Sequence, residues 1–302
     1  KASFNNAVFT TNGTSTDPLI AATGTRKDLI FVDQGQSGTE LNFTGAGTNL
    51  TANPNGYIVN VSGNYTAPNY VYYSNTYVNN TELMGQNYFD GSSVTFNATD
   101  AGSMTGLVYK GLVKNTQTLT TTKAPTLDLN LSNGFTWNLS KNLSAPNADT
   151  ETAFFDTATI SNGATINGAY GTLANNYTLS GNVVSNGGII NLRDGAAGDK
   201  LTINGNYSAN NGIVNLDTVL GDDTSATDKL IITGNTNGTT ALSVTNVGGT
   251  GAQTVEGIQV VQVDGASDGT FSLAAPVQGG SYEYLLYKNG VSTPTDGDWY
   301  LR

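Results

Sequence analysis

The side chains with reactive potential in this chain are few, and most of them are carboxylates. Asp194, Asp199, Asp217, Asp222, Asp223 and Asp228 fall within one short stretch. Two carboxyl groups about 5–10 Å apart are the machinery of glycoside hydrolysis, and a basic residue with calcium would serve a lyase. The setting of these residues points to a plainer role. They lie in turn-like segments, where Asp is favoured because its side chain bonds the backbone two residues on. The run Asp222-Asp223-Thr224-Ser225-Ala226-Thr227-Asp228 lacks the EF-hand spacing, and Gly248-Gly249-Thr250-Gly251-Ala252 lacks the Asp of the calcium-binding nonapeptide. The expectation is no catalytic residue, no metal ligand and no cofactor.

Composition narrows the chemistry further. The 302 residues include no His and no Cys. Without His there is no Ser-His-Asp triad, no Cys-His pair and no His-ligated zinc or iron. A serine protease is excluded on the same ground unless a His-bearing domain lies upstream. Without Cys there is no disulfide, thiolate nucleophile or iron–sulfur cluster. A net charge of −11 with only 12 Lys+Arg argues against a nucleic-acid partner, because neutralising phosphates takes clustered cations.

The densest aromatic stretch holds Tyr65, Tyr70, Tyr72, Tyr73 and Tyr77, with Pro68 among several Asn. Tyr is a rigid amphipathic contact residue, suited to stacking on sugars or on a partner surface. These five are the candidate binding residues, carried on a protruding loop. The alternative is a strand pair whose Tyr face packs inward. Lys110, Lys114 and Lys123 spot the next segment and would suit acidic patches on a neighbouring molecule. Sequons such as Asn42-Phe43-Thr44 arise by chance in a chain with 37 Asn and 44 Thr.

The elements that must position these residues are strands. Leu127, Leu129 and Leu131 alternate with polar residues, and after Asn133-Gly134 so do Phe135, Trp137 and Leu139. Such alternation marks half-buried strands. Ten Asn-Gly dipeptides read as turns, since both residues tolerate positive φ. The segments Tyr177–Leu192 and Leu201–Leu216 match at eight of sixteen positions, and a weaker copy starts at Leu230. Short strands and turns repeating every 20–30 residues or so read as a solenoid, in which each coil hides its apolar face by stacking on the next. The expected fold is an all-β, right-handed parallel β-helix with a C-terminal β-rich cap. Asn and Thr at repeated positions would then form ladders from coil to coil, where stacked charges would repel. An outer-membrane barrel also alternates, but in longer strands with aromatic girdles, which fits less well.

Several pieces occur in series toward the C-terminus: Asp199-Lys200-Leu201-Thr202-Ile203-Asn204-Gly205, Asp228-Lys229-Leu230-Ile231-Ile232-Thr233-Gly234, Gly257-Ile258-Gln259-Val260-Val261 and the closing Trp299-Tyr300-Leu301. In this order they resemble the C-terminal end of the passenger of a type V autotransporter, of the pertactin-like and AIDA-type group. The resemblance divides the chain into a β-helix passenger (1–190) and C-terminal coils with an autochaperone-like cap (191–302). It implies a protein at the cell surface of a Gram-negative bacterium, delivered through an outer-membrane β-barrel encoded downstream. The C-terminal segment would fold first, with Tyr282, Tyr284, Leu286, Trp299 and Leu301 as an apolar folding cap. The implied function is non-enzymatic adhesion: aggregation with identical copies on other cells, biofilm formation, or binding to a host glycan or protein. The alternatives are a carbohydrate-active β-helix enzyme and a stalk or folding module for a missing N-terminal domain.

Overall fold

A computed structural model describes residues 1–10, 28–32, 38–52, 54, 56–61, 93–110, 125–142, 150–170 and 175–302. Among the described residues there are strands and no helix. The N-terminal coils comprise β1 (Ala2–Asn5), β2 (Val8–Thr10), β3 (Ile30–Val32), β4 (Thr39–Thr44), β5 (Asn49–Thr51), β6 (Val59–Val61), β7 (Ser93–Ala98), β8 (Ser103–Thr105) and β9 (Val108–Lys110). The central coils comprise β10 (Thr126–Ser132), β11 (Thr136–Asn138), β12 (Thr152–Ser161), β13 (Thr165–Asn167), β14 (Asn176–Asn186) and β15 (Ile189–Asn191). Next come β16 (Lys200–Asn204), β17 (Tyr207–Thr218), β18 (Lys229–Ile232), β19 (Thr236–Asn246), β20 (Ile258–Val263) and β21 (Thr270–Leu273). The chain closes with β22 (Val277–Gly279), β23 (Tyr282–Tyr284), β24 (Leu286–Lys288) and β25 (Trp299–Leu301).

The pairing is parallel and follows three faces. The first face stacks β1, β4, β7, β10, the second half of β12, the second half of β14 and the first half of β17. The second stacks β2, β5, β8, β11, β13, β15, the rest of β17 and β21, with the second half of β19 between the last two. The third stacks β3, β6 and β9, and, farther along, the first half of β14 with β16, β18 and β20. This is a parallel β-helix. The long strands turn a corner within themselves, and the register slips there, as between Phe154 and Thr157 in β12. The sequence repeat is realised in the register: Tyr177 lies on Leu201 and Ile189 on Ile213.

Stacking like on like fills the interior and lines the polar positions. Leu127, Leu129, Leu131, Trp137 and Leu139 all point inward and are buried, as alternation requires. Phe4 stacks on Phe43 at 5.0 Å, and Phe43 meets Phe96 at 5.1 Å. The expected Asn ladders are present. On the first face Asn130 donates to Asn97 and Asn97 to Asn42, both at 2.9 Å. On the second face Asn167 donates to Asn138, Asn191 to Asn167 and Asn215 to Asn191, at 2.9, 3.1 and 3.2 Å. An amide has both a donor and an acceptor, so it bonds its own copy above and below; an Asp column would have acceptors only.

The Asn-Gly pairs divide into two kinds. Asn133-Gly134 and Asn162-Gly163 adopt the left-handed conformation and turn the chain between faces, as expected. Asn204-Gly205 does not, which corrects the reading of all ten as positive-φ turns. There the glycine is required by proximity. Gly181, Gly205, Gly234 and Gly265 lie over one another at a corner, and a Cβ on Gly205 would sit 2.3 Å from the Gly181 carbonyl oxygen. The Asn after each of the first three glycines completes the corner: Asn182 Oδ1 accepts from Asn206 N at 2.9 Å, Asn206 Oδ1 from Asn235 N at 2.8 Å, and Asn235 Oδ1 from Ala266 N at 2.8 Å.

Two outcomes follow for stability. Gly205→Ala forces backbone apart between adjacent coils and lowers the urea midpoint by the equivalent of about 1–3 kcal/mol, the usual cost of overpacking. Asn191→Ala leaves two ladder amides without their partner and costs about 1 kcal/mol in the same titration.

Candidate functional site

The six carboxylates of the Asp194–Asp228 stretch lie where the chain crosses from the second face to the third. They do not form a pair facing solvent; each is turned to backbone N–H groups. Asp194 Oδ1 accepts from Ala196 N at 2.9 Å, and Asp222 Oδ1 from Thr224 N at 2.9 Å, as local turns. Asp217 Oδ2 accepts from Asp194 N and Gly195 N at 3.1 and 2.6 Å. Asp228 Oδ1 accepts from Gly198 N and Asp199 N at 2.9 and 3.0 Å, and its Oδ2 from Asp217 N at 2.6 Å. Asp199 Oδ1 accepts from Asn175 N at 2.7 Å. Asp223 reaches into the next coil and accepts from Val255, Glu256 and Gly257 N at 2.9, 3.1 and 2.8 Å.

Their environments differ. Asp199, Asp217 and Asp228 are buried, and burial pushes the Asp228 carboxyl up to about 7 against the three N–H groups that favour its ionised form. Asp199 is raised as well, chiefly by burial. For Asp223 desolvation is outweighed by its three backbone donors, and its carboxyl lies below the ordinary value. One cation enters the corner: Arg193 Nε lies 3.6 Å from Asp217 Oδ1, and its Nη2 donates to Ser243 O at 2.7 Å. Arg193 therefore clips the corner to the coil beyond. It follows the repeated Leu192, and the offset that aligns Arg193 with Asp217 is its only signal in the sequence. Among the described residues no group of three or more acidic side chains could hold a metal ion.

Of the residues expected to form a folding cap, Leu286, Trp299 and Leu301 are brought together by a change of strand direction, while Tyr282 and Tyr284 lie in a separate two-stranded sheet. β25 runs antiparallel to β20 and to β24, and β22 pairs antiparallel with β23. Leu301 and Tyr284 are buried, Trp299 nearly so, and Leu286 packs on the core edge. Tyr282 is 46% exposed and adds little to the packing. Trp299 meets Phe271 at 5.4 Å, which stacks in turn on Tyr207 at 6.4 Å. The Tyr284 hydroxyl accepts from Ala252 N at 2.9 Å and donates to Gly221 O at 2.8 Å, tying the closing segment to two earlier loops. Sequence reasoning missed three polar stitches here. Glu256 accepts from Val291 and Ser292 N at 2.7 and 2.8 Å, Asp298 Oδ1 from Val263 N at 2.7 Å, and Arg302 Nε donates to Glu256 O.

Tyr65, Tyr70, Tyr72, Tyr73 and Tyr77 lie outside the described residues, as do Lys114 and Lys123. Lys110 is paired with Asp156 of the same chain.

Residues 180–286, which span the repeat, the carboxylate corner and β20 to β23, match the family described as Autochaperone Domain Type 1. The chain is 60% identical over 93 residues to the adhesin BmaC autotransporter of Brucella suis biovar 1 (strain 1330), covering 28% of this chain and 3% of that protein. It is 42% identical over 83 residues to the autotransporter adhesin AIDA-I of Escherichia coli, covering 28% of this chain and 6% of that one. The uncharacterized protein YuaQ of Escherichia coli (strain K12) is 46% identical over 87 residues, again 28% of this chain and 6% of its own length. The chain thus spans only a few per cent of the length of these curated relatives.

Tyr284→Phe is expected to remove the tie between the closing segment and its loops, at about 1–3 kcal/mol for the buried groups left unpaired. The loss should be read as an earlier denaturant transition at Trp299 in a Trp137→Phe background. With its parallel coils and its match to Autochaperone Domain Type 1, the chain carries over residues 180–286 the autochaperone region of an autotransporter passenger, a cell-surface protein associated with the outer membrane of a Gram-negative bacterium.

Proposed function

We propose that this passenger is a non-enzymatic adhesin. Its β-helix presents long polar faces to identical copies on neighbouring cells, or to a host glycan or protein surface. Many weak hydrogen bonds and a few salt bridges along a rod give avidity without a single strong site. Residues 1–190 supply the displayed faces, and residues 191–302 act as the unit that folds first and seeds the stack, after export through an outer-membrane β-barrel translocator. The observation that carries this reading is the autochaperone match at residues 180–286, shared with proteins named as adhesins. The corner carboxylates support it, since their oxygens are turned to backbone N–H groups rather than to a cleft.

Display of the full passenger on a bacterium lacking other adhesins should increase settling, biofilm formation or host-cell binding. No change in any of the three would remove the adhesin reading. The folding order is separately testable, because the chain has only two Trp. Trp137 is buried in the central coils with its Nε1 donating to Gly106 O at 2.8 Å, and Trp299 lies in the closing hairpin. In single-Trp variants, the Trp299 signal should recover before the Trp137 signal on dilution from denaturant. Simultaneous recovery, or Trp137 first, would refute seeding from the C-terminal end.

A further inference from the structure

We propose that the carboxylate corner of the autochaperone region is a proton-operated lock, which takes up a proton as the surroundings acidify and thereby tightens the coils it joins. This goes beyond the adhesin reading and does not depend on it.

The geometry concentrates negative charge where water is excluded. Asp199, Asp217 and Asp228 retain 2%, 0% and 0% of their exposure, and one cation, Arg193, pairs with Asp217 at 3.6 Å. Asp199 and Asp228 repeat one stitch in successive coils, each accepting the backbone N–H of the position one coil earlier. Asn175 occupies the position one coil before Asp199 in that column, without charge. Among the described residues, Asp199 Oδ2 is buried with no hydrogen-bond donor, while Asp217 Oδ1, also without one, faces Arg193 Nε at 3.6 Å. A proton is the donor that Asp199 Oδ2 lacks; once bound, it also relieves the repulsion between the carboxylates.

The charged groups around Asp228 come from each packed element. Asp199 lies on the preceding coil, Asp217 on β17, and Arg193 and Asp194 on the loop after β15. Lys200 and Lys229 follow Asp199 and Asp228 on their strands and so point to the opposite face, where Lys229 Nζ donates to Gln259 Oε1 at 2.6 Å. Gln259 is held in turn by Asp298 of the closing hairpin.

Burial raises Asp199 and lifts Asp228 from 3.8 to about 7. A carboxyl whose folded value lies above its unfolded one contributes full stability below the unfolded value, and that contribution is lost as pH rises through the folded value. The window for Asp228 therefore runs from about 4 up to about 7.

The test uses the full chain, unfolded by urea between pH of about 5 and about 8, with Trp299 as the probe in a Trp137→Phe background. The folding equilibrium constant should rise as pH falls, approaching about tenfold per pH unit for one proton. Asp199→Asn and Asp228→Asn should each flatten that slope. Asp199→Asn places the residue already present at position 175 of the column, so its fold is expected to persist if Asp228→Asn does not fold. Infrared spectra of the wild type should gain a buried protonated carboxyl band as pH falls from about 8 to about 5, and Asp199→Asn should weaken it. A slope that is flat or of opposite sign in the wild type, one unchanged in Asp199→Asn, or the absence of that band would overturn the proposal.

Discussion

Among the described residues, successive coils hydrogen-bond one another in parallel until the closing hairpin, and the rest of the structure follows from that one constraint. Strand neighbours lie roughly 4.8 Å apart, so each residue sits against its own counterpart. A residue type survives at a position only if it tolerates a copy of itself on either side. Leucine and phenylalanine do so by packing, asparagine by donating to one neighbour and accepting from the other, and glycine by leaving room at a corner. The chain's low content of charged residues, 12%, is the compositional trace of this rule.

Where the chain does stack charge, it controls the surroundings. Asp199 and Asp228 sit at the corner between the second and third faces, not within a face, and Asp217 lies beside them at the end of β17. There the backbone is free of sheet pairing and can aim its N–H groups at the oxygens. The corner thus converts a destabilising column into a set of side-chain caps, each fastening a loop to the next coil. The closing hairpin answers a different problem. A parallel stack ends in an open strand edge, which invites pairing with other chains. Reversing direction at β25 lets Trp299 and Leu301 lie over β20 and ends the parallel stack at that face.

Much of this was legible in the sequence because stacking writes a period. The alternation of Leu127, Leu129 and Leu131 gave the strand and its buried face. The repeat between Tyr177–Leu192 and Leu201–Leu216 gave the coil spacing, and the register carries Tyr177 on Leu201. The Asn ladders were expected from composition and repetition together. The two roles of glycine were not separable: Asn133-Gly134 and Asn204-Gly205 look alike as dipeptides, and only the contact of Gly205 with the Gly181 backbone distinguishes them. Arg193, Glu256 and Asp298 carried no motif, since their partners are backbone atoms supplied by distant loops.

By itself, then, the sequence determined what is local or periodic: strands, a stacking offset, turns and a recognisable closing segment. Those features depend on a residue's near neighbours or on its own repeat, and both are written along the chain. The tertiary structure alone decided which of six similar Asp residues are sealed from water and which keep it, and that Tyr284 is buried while Tyr282 is not. Burial depends on which loop of a later coil lies over a side chain, and that is set by the stacking of the whole rather than by any stretch of residues.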